Sequence, residues 1–120
     1  MSIFTYDFHV KSGNTGTIEN PAGLVVRLQD DKGAPRDLSG MIFVFFAHWS
    51  GKTHIKRSSA DGAITLDAIA GKITVPFGVK DFAAARAGQD IRYELEQRNN
   101  AEQRTILEGK ITLEAGISDD

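Results

Sequence analysis

The residues best suited to bind a metal or move a proton are the three histidines, His9, His48 and His54. His48 and His54 flank one predicted hairpin and stand within reach across it. A metal centre needs a third ligand at a fixed position, and none is evident. Gly51-Lys52-Thr53 matches the end of a phosphate-binding loop. That motif requires a glycine where Phe46 stands, and a helix where a polar strand is predicted. Glu94 and Glu96 share the outward face of their strand with Arg92 and read as a solvated salt-bridge surface, not as a glycosidase pair in a cleft. Ser12, Ser39, Ser50, Ser58, Ser59 and Ser118 fall in predicted turns, outside any nucleophile elbow. With no cysteine, a thiolate nucleophile, a disulfide framework and a Cys-based zinc site are excluded. No catalytic, metal or cofactor site is expected, and the chain reads as a non-enzyme.

Two groups suit binding better than catalysis. Lys52, His54 and Lys56, with Arg57, form the one local concentration of basic residues. Their alternation places the first three on one face of a strand, where lysines commonly protect a sheet edge. Trp49 stands beside them and has the ring a sugar would stack on. Trp49, Lys52, His54 and Lys56 are therefore the candidate contacts for a ligand or partner, and a carbohydrate-binding module is the alternative function. The second group is Ile42, Val44, Phe46 and His48, alternate residues of the apolar run MIFVFFAHW at 41–49. A strand with one wet face alternates apolar with polar residues. This one is apolar on both faces, so its outer face is either covered by the same chain, by residues such as 11–22, or is a contact surface for another chain. Exposed apolar patches of that kind mark interaction sites.

The elements that position these groups are strands. Residues 3–10 alternate, with Phe4, Tyr6, Phe8 and Val10 on the apolar side. In GLVVRLQ (23–29), Leu24, Val26 and Leu28 face inward. DDKG makes a hairpin turn on Gly33, Leu38 plugs the following loop, and Gly40 leads into 41–49. Ser50-Gly51 and Asp61-Gly62 are turns. Strands over 63–66 and 72–77 meet at Gly71, with Pro76 marking an edge or a strand end. Residues 79–88 predict a short crossover helix, capped by Asp81 and closed by Gly88, with Phe82 tucked in. Ile91, Tyr93 and Leu95 point inward from 90–98, and Asn99-Asn100 turns the chain into the last strand. There Leu107, Ile111 and Leu113 share a face with Gly109, which marks a bulge or a close contact. Seven to eight short strands with one short helix predict an all-β antiparallel β-sandwich of the immunoglobulin-like kind, with a small β-barrel as the rival.

The 120 residues fit one domain, assigned to 1–115, with 116–120 as a flexible acidic tail. Hydrophobic residues make up 41% and charged residues 25%, which is globular rather than disordered composition. A formal net charge of -2 gives no electrostatic case for nucleic acid. No apolar run is long enough to span a bilayer, so no membrane partner is expected. The acid at Asp7 and the lack of a long apolar core argue against a signal peptide and for synthesis in a cytoplasm.

The order of features from about 23 to 115 resembles the immunoglobulin-like N-terminal domain of phage baseplate upper proteins and related small prophage tail proteins. The resemblance is carried by GLVVRLQ, DDKGAPRDLSG leading into an apolar strand, DAIAGKITVPF, KDFAAARAG, DIRYELEQ and RTILEGKITLE. The chain departs from that pattern on the outer face of 41–49. It also stops after the last strand, where longer members continue into a stalk or receptor-binding part. What the resemblance implies is a virion structural protein of a tail or baseplate, assembled in the bacterial host cytoplasm. Its partners would be further copies of itself, as a homo-oligomer, and other tail or baseplate proteins. The resemblance transfers no catalytic residue.

Overall fold

Alternating apolar and polar residues build two sheets that share one core. The computed structural model describes residues 4–11, 24–77, 81, 85, 89–99 and 102–114. Within them run β1 (Phe4–Thr5), β2 (Phe8–Lys11), β3 (Leu24–Arg27), β4 (Ile42–Trp49) and β5 (Lys52–Ser58). A 3₁₀ turn (Ser59–Asp61) follows, then β6 (Thr65–Asp67), β7 (Lys72–Val75), β8 (Ile91–Asn99) and β9 (Glu102–Glu114). The larger, six-stranded sheet has the order β1-β9-β8-β4-β5, with β2 also on β9; the smaller has the order β3-β7-β6. The fold is an all-β sandwich, as the alternation predicts. The described strands form two separate sheets rather than a closed barrel.

Its core is one cluster drawn from both sheets. Leu24, Ile73 and Val75 come from the smaller sheet; Phe43, Phe45, Ala47, Ile91, Tyr93, Leu95 and Ile111 come from the larger. Phe45 sits at the centre, with its ring centroid 5.7 Å from Tyr93 and 5.7 Å from Phe77. Leu38 is fully buried, the plug expected beneath its loop. That loop is held by Asp30, whose Oδ1 accepts from the N–H groups of Lys32 and Ala34, and by Asp37, whose Oδ1 accepts from both groups of Ser39. The Ser39 bonds favour the carboxylate and hold Asp37 below its ordinary pKa. Gly71, at φ 65°, brings the β6–β7 turn against this loop. A Cβ there would lie 2.6 Å from Leu28 O, so only glycine fits.

The N-terminal strand departs from antiparallel pairing. β1 and β2 both run parallel to β9 and hold one register, Thr5 opposite Glu108 and Phe8 opposite Ile111. Between them the backbone breaks from the sheet, and Tyr6, expected on a buried face, is 54% exposed. Gly109 explains the break. A Cβ on Gly109 would lie 2.0 Å from Tyr6 O, so the glycine marks the close contact foreseen for it. The bulge in β9 lies elsewhere, at Ile106, where the register shifts between Leu95 opposite Leu107 and Glu96 opposite Thr105.

Pro76 is exposed just beyond β7, which makes it a strand end. The helix expected over 79–88 falls outside the described residues except for Asp81 and Ala85. Asp81 lies in a turn and receives Arg57 in an ion pair. The tail at 116–120, the segment 11–22 beyond Lys11 and the side chains of Phe4, Phe8, Val10 and Phe82 also lie outside them.

Candidate functional site

The outer face of the larger sheet carries most of the residues singled out from the sequence. β4 is an interior strand, paired with β8 on one side and β5 on the other. Its residues Phe43, Phe45, Ala47 and Trp49 are buried in the core, which turns Ile42, Val44, Phe46 and His48 outward. These four do not form a bare apolar stripe. Ile42 is 40% exposed, Val44 is only 3% exposed, and Phe46 and His48 are half-buried.

Charged side chains of the same face provide the cover. Arg98 on β8 donates through Nε and Nη2 to Glu96 Oε1, at 3.1 and 3.0 Å. Its guanidinium lies 5.7 Å from the Phe46 ring centroid, and Lys56 Nζ from β5 lies 5.7 Å from the same centroid. Two cations therefore hold one ring, a contact of about 0.5–1 kcal/mol each at an exposed site. His48 stacks on Phe46 at 6.3 Å with the rings 9° from parallel. Its Nδ1 and Thr53 Oγ1 hydrogen-bond at 3.0 Å. Glu96, expected to be solvated, is buried at 8% exposure beside Val44, because the strand register puts the two directly opposite.

The hairpin separates the basic residues that alternation had grouped. A β-bulge sits between Ala47 opposite Ile55 and His48 opposite Thr53, leaving His54 as the extra residue. Lys56 therefore joins the outer face beside Phe46, while Lys52 pairs with Trp49 at the hairpin end. His54 stacks on Trp49 with centroids 4.0 Å apart, and its Nε2 donates to Trp49 O. Lys52, His54 and Lys56 thus do not share a face. His48 and His54 are also kept apart, each held by its own hairpin partner. Among the described residues no group of three or more His, Asp and Glu side chains is placed to hold a metal ion.

Trp49 is 3% exposed and belongs to the core, with His54 laid on it. The open stacking platform expected for a sugar is therefore corrected to a core indole.

A shallow groove of about 350 Å³ crosses the outer face between β4, β8, β9 and the N-terminal strand. Asp7, His48, Arg92, Glu94, Glu108 and Lys110 line it. Asp7 Oδ1 accepts from the backbone N–H of Lys110 at 2.9 Å. The side chains of Arg92, Glu94, Glu108 and Lys110 were not singled out as binding groups. Their signal is the face pattern Arg92-Glu94-Glu96-Arg98 along β8, together with Glu108 and Lys110 on β9. It acquires meaning only once the register between those strands is fixed.

These features define a β-sandwich with one sheet face built from aromatic and charged side chains. Compared with protein-family models and with curated proteins, the chain matches none.

Proposed function

We propose that this chain is a non-enzymatic structural module of a phage or prophage tail or baseplate, acting through protein-protein assembly on the outer face of its larger sheet. The observation that carries the assembly reading is the setting of Phe46. Its ring is half-buried under Lys56, Arg98 and His48, with Ile42 exposed on the same strand. Aromatic and arginine side chains are enriched at protein interfaces, within a polar rim. The virion assignment is supported by the resemblance of residues 23–115 to immunoglobulin-like baseplate domains, whose sandwich architecture this chain shares.

Light scattering on the purified protein tests the assembly reading. Self-association or association with a tail component is expected, and Phe46→Glu should abolish it while leaving the β circular dichroism intact. A strict monomer at high concentration that captures no tail component would sink the reading. Mass spectrometry of purified particles tests the virion assignment, and absence of the protein from them would overturn it.

A further inference from the structure

We propose that the outer face of the larger sheet pairs with the same face of a second copy, in a two-fold arrangement whose register is set by two rows of opposite charge. This inference rests on the assembly role above and adds its partner and geometry. Strand register places His48, Arg92 and Lys110 side by side across β4, β8 and β9. The adjacent row is Phe46, Glu94 and Glu108. Arg92 thus stands directly opposite Lys110, and Glu94 directly opposite Glu108, an arrangement that destabilises a sheet.

Asp7 lines the groove beside the basic row and Lys56 stands opposite Phe46 at the end of the acidic one, but among the described residues neither forms an ion pair with these charges. Among the described residues Glu94, Glu108 and Lys110 make no ion pair, and Arg92 meets only Asp90 at the exposed strand end. Exchanging Arg92 with Glu94 would give a single chain two cross-strand ion pairs. The sequence instead segregates the charges into a basic row and an acidic row, with the groove between them.

That segregation is self-complementary. A two-fold axis lying in the face, between the rows and across the strands, preserves position across the sheet and exchanges the rows. Arg92 of one copy then faces Glu94 of the other, Lys110 faces Glu108, and His48 faces Phe46. Each contact occurs twice, as an isologous interface requires. The strands of the two copies lie nearly aligned, as in ordinary sheet-on-sheet packing. An unrelated partner would need the same two rows in the same order; a second copy has them by symmetry. An interface confined to one sheet face belongs to the small class and is sensitive to salt.

Sedimentation velocity of the full chain tests the proposal with two double variants, Arg92→Glu/Lys110→Glu and Glu94→Lys/Glu108→Lys. The wild type is expected to dimerise and to lose at least tenfold in affinity between low and high salt. Each double variant should be monomeric. The variant carrying all four substitutions should dimerise again, because its rows are exchanged but still opposed. Circular dichroism checks that each variant is folded. A second readout avoids charge reversal. The chain has no cysteine, so a mixture of Arg92→Cys and Glu94→Cys proteins should form several-fold more disulfide dimer than either alone. Wild-type association unaffected by both double variants would overturn this register and leave the assembly reading standing. So would preferential cross-linking of identical variants. A wild type that neither self-associates nor binds a tail component would remove both.

Discussion

The hydroxyl of Tyr93 donates to the carbonyl of Tyr6, 87 residues earlier in the chain, at 2.5 Å. This bond ties the N-terminal strand to the sheet where the backbone leaves regular pairing. Burial, and then the nearby Asp7 and Tyr6, push the Tyr93 hydroxyl above its ordinary pKa of 10.0. A raised folded-state pKa contributes stability that is complete below the unfolded value and is lost as pH climbs past it. Unfolding free energy should therefore fall as pH rises above 10. Tyr93→Phe should remove that slope and cost about 0.5–1.5 kcal/mol at neutral pH, the net value of one hydrogen bond. Urea titrations of both proteins at pH 7 and above pH 10 would measure this. A wild-type slope that Tyr93→Phe retains would show that another group is responsible.

Gly109 is the second half of that junction. Its missing side chain is the space Tyr6 O occupies. Gly109→Ala should force β1 and β2 away from β9 at a cost of roughly 1–3 kcal/mol, the usual range for overpacking. Amide exchange should show protection lost first at Tyr6 N, which donates to Glu108 O, and at Lys110 N, which donates to Asp7. Unchanged protection at both amides would contradict the close contact.

Gln97 points the other way, towards a gain. It is 6% exposed on β8, and its Oε1 has no hydrogen-bond partner among the described residues. A buried unsatisfied amide oxygen costs about 1–3 kcal/mol. Gln97→Met keeps the length of the side chain and removes the orphan acceptor. Its denaturation midpoint should rise, with an increase of about 1 kcal/mol in stability. A drop in midpoint would mean that the amide has a partner the described residues do not supply.

Much of the sandwich could be read from alternation, because a strand with one buried face declares it every second residue. Ile91 to Leu95 is legible for that reason, whereas Met41 to Trp49 is legible as a run of apolar residues, broken only by His48 and rich in types that favour strands. Val44 and Glu96 are not. Their burial depends on being opposite one another, and pairing between strands is not written in either strand alone. The basic hairpin fails similarly. One extra residue at His54 reverses which side chains share a face, and no composition signal marks that bulge. Tyr6 looked buried because its neighbours alternate correctly. Its exposure follows from a glycine more than a hundred residues away in the chain. The segregated rows on β8 and β9 were visible as letters, but only the register made them neighbours.

The parallel docking of the N-terminal strand also has a consequence in time. Asp7 meets Lys110 across a separation of 103 residues. A ribosome adds roughly 5–20 residues per second, so these early residues wait roughly 5–20 seconds for their partner to be made. Throughout that interval the larger sheet lacks β9, the strand on which β1 and β2 align. Such distant pairings also slow folding, because the loop must close before the contact rewards it. Closing this sheet therefore waits for β9, and β1 and β2, made before the sheet's other strands, are among the last of them to find their place.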